Sequence, residues 1–101
     1  MFKAIVLLTR KDGATREEFG DWLLGPHADL VHGLPGLRGQ RYNLVENESD
    51  LDGVAELWFD SQQAFEEAYA TELGSRVAAD SLAHVSRRER LFVTEHVLDP
   101  S

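Results

Sequence analysis

An α+β sandwich of four strands and two helices, in the order β-α-β-β-α-β, is what this sequence predicts, and three observations point there. Apolar runs of strand length open the chain, close it and flank the polar segment NESDLDG. Two helical patterns, one opened by a threonine cap and one by a serine, separate the outer strands from the inner pair. No linker, repeat or low-complexity tract divides the 101 residues, so every element shares one core.

Taken in order, Phe2 to Thr9 (FKAIVLLT) is apolar on both alternating faces. Ala4, Val6 and Leu8 lie on one face and Ile5 and Leu7 on the other, as in an internal strand covered on both sides. RKDGA is a polar turn. TREE then forms a capping box, with Thr15 accepting from the first turn and Glu18 reaching back. Phe19, Trp22, Leu23, Pro26 and Leu30 recur at helical spacing, which predicts a helix from about Arg16 to about Val31. On an ideal helix the centre of its apolar face falls near Phe19, Pro26 and Leu30. His27 sits on one border of that face and His32 turns toward solvent. Gly25-Pro26 removes a backbone hydrogen bond and loosens the turn there, so the helix is expected to bend and continue.

Pro35 and Gly36 end the helix. Leu37 to Glu46 is a second, less apolar strand with Gly39 as a candidate bulge. NESDLDG has the composition of a hairpin turn. Val54 to Asp60 is the third strand, with Ala55, Leu57 and Phe59 on one face and Val54, Glu56 and Trp58 on the other. Ser61 caps a second helix carrying Ala64, Phe65, Ala68, Tyr69 and Leu73. Gly74 is expected to break it, with SRVAADSLAHV adding a turn or two. Arg88 to Leu98 is the last strand.

Right-handed crossovers make this order a ferredoxin-like sandwich, a four-stranded antiparallel sheet with two helices on one face. The opposite face still carries large apolar groups, namely Trp58 and either Leu91 or Phe92. A patch of that size is normally an interaction surface, and a second copy of the sheet hides it most simply. A homodimer whose sheets together form a barrel is therefore expected, with any ligand cavity between sheet and helices or inside the barrel.

Composition narrows the chemistry. Cysteine is absent, so disulfides, thiolate metal sites and cysteine nucleophiles are excluded. A net charge of −8 repels phosphate backbones and anionic lipid, so nucleic acid and membranes are not expected partners. The N-terminal apolar run is too short for a membrane span and lacks a cleavage site, and a cytoplasmic protein is expected. No phosphate-cradling glycine motif, serine elbow or zinc signature is present, and no bound cofactor is expected. ENESDLD lacks the spaced ligands of a calcium loop.

Four histidines and a few strand residues remain as candidates. His27 is the strongest, since a half-buried imidazole titrates in the range that general acid–base work needs. Its five-residue spacing from His32 is not that of a metal pair. Glu56 stands on an otherwise apolar strand, where a carboxylate pairs with a base, has a raised pKa or faces water. Tyr42, Trp58 and Phe92 are candidate substrate-binding residues, although strand aromatics are more often core or interface. Thr94 and His96 share the Phe92 face. Trp22 is expected in the core, and His84 is expected to serve its helix dipole. The basic cluster SRRER (Ser86 to Arg90) is expected to pair with local acids.

Several of these stretches together resemble the EthD-like family of dimeric α+β barrel proteins. They are FKAIVLLTRKDG, TREEFGDWLLGPHADL, LPGLRGQRYN and GVAELWFDSQQAF. The most specific elements are Trp22 followed by His27-Ala28 and Leu34 to Leu37, and the strand Glu56 to Asp60. The resemblance implies a homodimeric barrel handling a small, largely apolar molecule such as a lactone, quinone or polyketide. It implies a cofactor-independent isomerase, dehydratase/cyclase or monooxygenase, with His27 moving the proton and Glu56 or Tyr42 orienting that imidazole or the substrate. The alternatives are a non-catalytic ligand-binding dimer and a haem-binding barrel.

Overall fold

A computed structural model, describing residues 1–99, carries the elements in the expected order. Strand β1 (Phe2–Arg10) leads into α1 (Arg16–Trp22), a π-helical turn (Leu23–His27) and α2 (Ala28–His32). Strands β2 (Gly39–Leu44) and β3 (Gly53–Phe59) form the hairpin. Helices α3 (Gln62–Tyr69) and α4 (Glu72–His84) return the chain to β4 (Val85–Thr94). The sheet is antiparallel with order β2-β3-β1-β4, so β1 and β3 are central and β4 is an edge. This is the predicted ferredoxin-like α+β sandwich.

Register fixes the two faces. Ala4, Val6 and Leu8 stand beside Leu57, Ala55 and Gly53 of β3. All are buried under Phe19, Trp22, Leu23, Val31, Phe65, Ala68 and Val77 from the helices. Burying one such large apolar side chain contributes roughly 1.5–3 kcal/mol, so this face holds the core. Phe59 is fully buried and meets Phe65 edge-on at 5.4 Å. The opposite face presents Ile5, Leu7, Val54, Trp58, Leu91 and Val93. Ala4 pairs with Phe92 and Ile5 with Leu91, so of the two candidates Leu91 faces outward and Phe92 faces the helices.

The first helix departs from the ideal phase. Thr15 and Glu18 make the predicted capping box. At Pro26 the missing N–H and the bulk of the ring are absorbed by the π turn, which uses an extra residue. The apolar face is re-phased: Leu23, His27 and Val31 become buried, while Leu24 and Pro26 are exposed. The expectation that Pro26 centres the apolar face therefore fails, and His27 moves from its border into the interior.

Three smaller expectations are also corrected. Gly74 does not break a helix. The break falls at Ala70-Thr71, where the Thr71 hydroxyl accepts from the Gly74 N–H and starts α4. A Cβ on Gly74 would lie 2.4 Å from the Tyr69 Cα, so glycine lets the two helices meet this closely. Gly39 pairs in register with Trp58 and forms no bulge; the irregularity falls at Thr9/Arg10 against β4. Finally, α4 runs directly into β4, which starts at Val85 and ends at Thr94, leaving His96 exposed beyond it.

Candidate active site

His27 is the last residue of the π turn and is 7% exposed. Its Nδ1 lies 3.0 Å from Asp80 Oδ2, on α4. A carboxylate oxygen accepts, so Nδ1 carries the proton and Nε2 is the basic nitrogen. The same Asp80 oxygen accepts from Trp22 Nε1–H at 3.0 Å. The Trp22 ring packs on His27 at 4.7 Å and stacks on His84 at 4.5 Å, so indole and carboxylate together fix the imidazole. His84 Nδ1 bonds the Asp80 carbonyl at 2.8 Å, a position in the last turn of α4 that suits the expected dipole role. Burial lowers the His27 pKa below its ordinary 6.5, against the pull of Asp80. The imidazole is accordingly neutral at pH 7 and available as a base.

His27 lines a cavity between sheet and helices. Val6, Leu8, Ala55 and Leu57 form its floor, and Val31, Val77 and Ser81 form its roof. Tyr42, Tyr69, Arg88 and Arg90 complete the wall. The space open to water is about 30 Å³, enough for a water or two. Arg90, on the β4 edge, is the one exposed residue of this lining. Tyr42 donates its hydroxyl to Gln40 Oε1 at 2.6 Å, and burial raises its pKa strongly, keeping it a neutral donor. Burial likewise raises Tyr69. Broader hollows lie near Thr9, Arg10 and Asp50, but these are shallow, polar and far more open. The buried Asp52 between them is already held by Arg10 and Arg16.

Of the predicted site residues, then, the fold brings together His27 and Tyr42. Phe92 faces the same side of the sheet but packs in a neighbouring aromatic cluster, 5.4 Å from Phe2 and 5.2 Å from Phe65. Glu56 and Trp58 project from the other face. Glu56 takes Lys3 Nζ at 2.8 Å and Asn43 Nδ2 at 3.0 Å, and Lys3 first, then Asn43, hold its pKa below the ordinary carboxylate value. Trp58 Nε1–H donates to Glu95 at 2.8 Å, and Lys3 and Arg41 lie over its ring. The sheet itself separates Glu56 from His27, so Glu56 cannot orient that imidazole. Thr94 and His96 are exposed and belong to neither group.

Sequence reasoning missed Asp80, Tyr69 and the two arginines. Asp80 left one signal: a poor helix former in mid-helix, four residues before His84 and three after Val77. The expectation that SRRER pairs with local acids fails for Arg88 and Arg90, which have no carboxylate partner among the described residues. Their alternation on β4 turns both toward the helices, while Glu89 between them faces outward. No cluster of three or more His, Cys, Asp or Glu side chains fit to hold a metal occurs among the described residues. Nor is any helix among them long and apolar enough to cross a membrane.

Fold and site together define a small ferredoxin-like α+β protein in which a histidine, paired with an aspartate, lines an internal cavity. Residues 11–87 match the EthD domain, and the chain belongs to that family. No curated protein sequence matches it. Among solved structures it is similar to an EthD family protein from Bacillus halodurans, at 21% identity and a TM-score of 0.84 over 95% of this chain and 99% of that one. The cofactor-independent oxygenase SnoaB from Streptomyces nogalater aligns at 19% identity and a TM-score of 0.75, covering 99% and 97%. A dimeric protein of ferredoxin-like fold from Bacteroides fragilis aligns at 15% identity and 0.72, covering 91% and 93%. At identities this low, the likeness shows the shared fold alone.

Proposed function

We propose that this protein is a homodimeric enzyme without a bound cofactor that moves a proton on a small, largely apolar organic molecule, with His27 Nε2 as the base. The supporting observation is His27, buried at the cavity and paired with the half-buried Asp80: a neutral imidazole, oriented through Nδ1, is what proton abstraction from an activated C–H or O–H requires. Tyr42 is a neutral hydroxyl on the same wall, and by giving up its bond to Gln40 Oε1 it can donate to a substrate oxygen. The reaction type fits isomerisation, dehydration or the first step of an oxygenation. SnoaB, of the same fold, is a cofactor-independent oxygenase.

The homodimer forms through the outer face of the sheet, where Ile5, Leu7, Trp58 and Leu91 need cover. Relatives of the same fold are described as dimeric. Glu56, Lys3, Glu95 and Trp58 then form a polar network within the interface.

Deuterium uptake from solvent reports proton abstraction directly. Wild-type protein should accelerate exchange at the acidic carbon of α-angelica lactone or anthrone, and His27→Gln should lower that rate by about 100-fold. A His27→Gln dimer with full exchange activity sinks the proposal. Tight binding of these molecules with no exchange in the wild type points instead to a non-catalytic binding protein.

A further inference from the structure

The two arginines beside the cavity have no assigned task. Arg88 and Arg90 occupy alternate positions on the edge strand β4, so both side chains turn to the helix-facing side and line the cavity that holds His27. Arg90 lies over the Phe65 ring at 5.5 Å and the Tyr69 ring at 6.0 Å. Neither arginine meets a carboxylate among the described residues, in a chain whose 18 acidic residues outnumber its 10 basic ones. Arg88 is half-buried, and like charges two residues apart on one face repel. A partly buried cation normally takes an anion, because desolvation is otherwise uncompensated.

We propose that Arg88 and Arg90 form an anion-binding mouth, and that the physiological ligand carries an anionic oxygen group there while its apolar body lies against Val6, Leu8 and Leu57. The inference builds on the proposed ligand cavity but does not depend on His27 acting as a base. The anion is either a standing carboxylate or a phenolate or enolate. Guanidinium groups serve both through charge-assisted hydrogen bonds. Tyr42 and Tyr69, kept neutral by burial, add hydroxyls to the same wall.

Benzoate, its neutral isostere benzamide, and 4-nitrophenol separate the possibilities when titrated calorimetrically against the intact protein at low salt. Benzoate should bind about tenfold more tightly than benzamide if the standing carboxylate is the source. If the oxyanion is the source, 4-nitrophenol should bind as the phenolate, with its absorbance shifted at a pH where the free phenol is neutral. Arg88→Gln and Arg90→Gln should each reduce the anion preference, and R88Q/R90Q should abolish it while benzamide affinity, Tm and dimerisation hold. His27→Gln should retain the preference, so that failure of the proton-transfer role is distinguishable from failure of the anion site. The proposal is overturned if neither anion binds more tightly than benzamide, or if R88Q/R90Q keeps the preference. It is equally overturned if R88Q/R90Q weakens the dimer and leaves the preference intact, since the arginines would then serve the partner subunit's acids.

Discussion

Asp80 Oδ2 stands 3.0 Å from His27 Nδ1, although 53 residues separate the two along the chain. The π turn supplies the imidazole and α4 the carboxylate that sets its tautomer. Replacing Asp80 by Asn keeps an acceptor for Trp22 Nε1 and His27 Nδ1 but removes the charge. Asp80→Asn should leave the fold intact, lower proton exchange by about 10- to 100-fold, and move the acid limb of its pH profile to lower pH. A pH–rate profile of both proteins checks the shift, and a limb that does not move assigns the carboxylate to packing alone.

The depressed His27 pKa also makes a claim about stability. Burial lowers the folded value, helped by the charges of His84 and Arg88 and opposed by Asp80. Between the folded value and the ordinary 6.5, the unfolded chain binds more protons than the folded one. The stability contributed by the neutral ring is therefore complete above 6.5 and is lost as pH falls from there toward the folded value. Thermal melts from about pH 7.5 down to about pH 5 should show this loss in the wild type and a flatter response in His27→Gln.

Glu56 should behave oppositely in activity and differently in acid. Its pKa is held down by Lys3 and Asn43, so its contribution is present above the ordinary 4.5 and is lost as pH falls through the folded value. Glu56→Gln should cost about 1 kcal/mol at neutral pH, since Lys3 keeps Glu95 at 3.0 Å. Exchange activity should be unchanged. A tenfold loss in an intact dimer would restore Glu56 as a functional group.

Gly74→Ala tests the helix junction. With no room for a Cβ beside Tyr69, the substitution must push α3 and α4 apart, at about 2 kcal/mol. Chemical denaturation should report that loss, and Tyr69 should shift with it in NMR spectra.

The fold was legible because its signals are local and agree with one another. Alternation in FKAIVLLT and VAELWF, the TREE box and the Ser61 cap each specify an element. Topology then leaves little choice. The site was legible only in part. His27 and Tyr42 could be singled out, but whether Glu56 and His27 share a face depends on which side of the sheet the helices cover. No local pattern states that. Asp80 is invisible for a similar reason, being an ordinary helical acid until the π turn brings an imidazole to it. Arg88 and Arg90 read as partners for local acids because charges alternate along β4, when that alternation separates Glu89 from the cavity side.

The π turn also bears on how this chain is compared with others. It amounts to one residue inserted into an otherwise regular helix, so a relative with an uninterrupted helix has one residue fewer between Trp22 and Val31. Column-by-column alignment without a gap would then set Pro26, not His27, opposite that relative's inward-facing position.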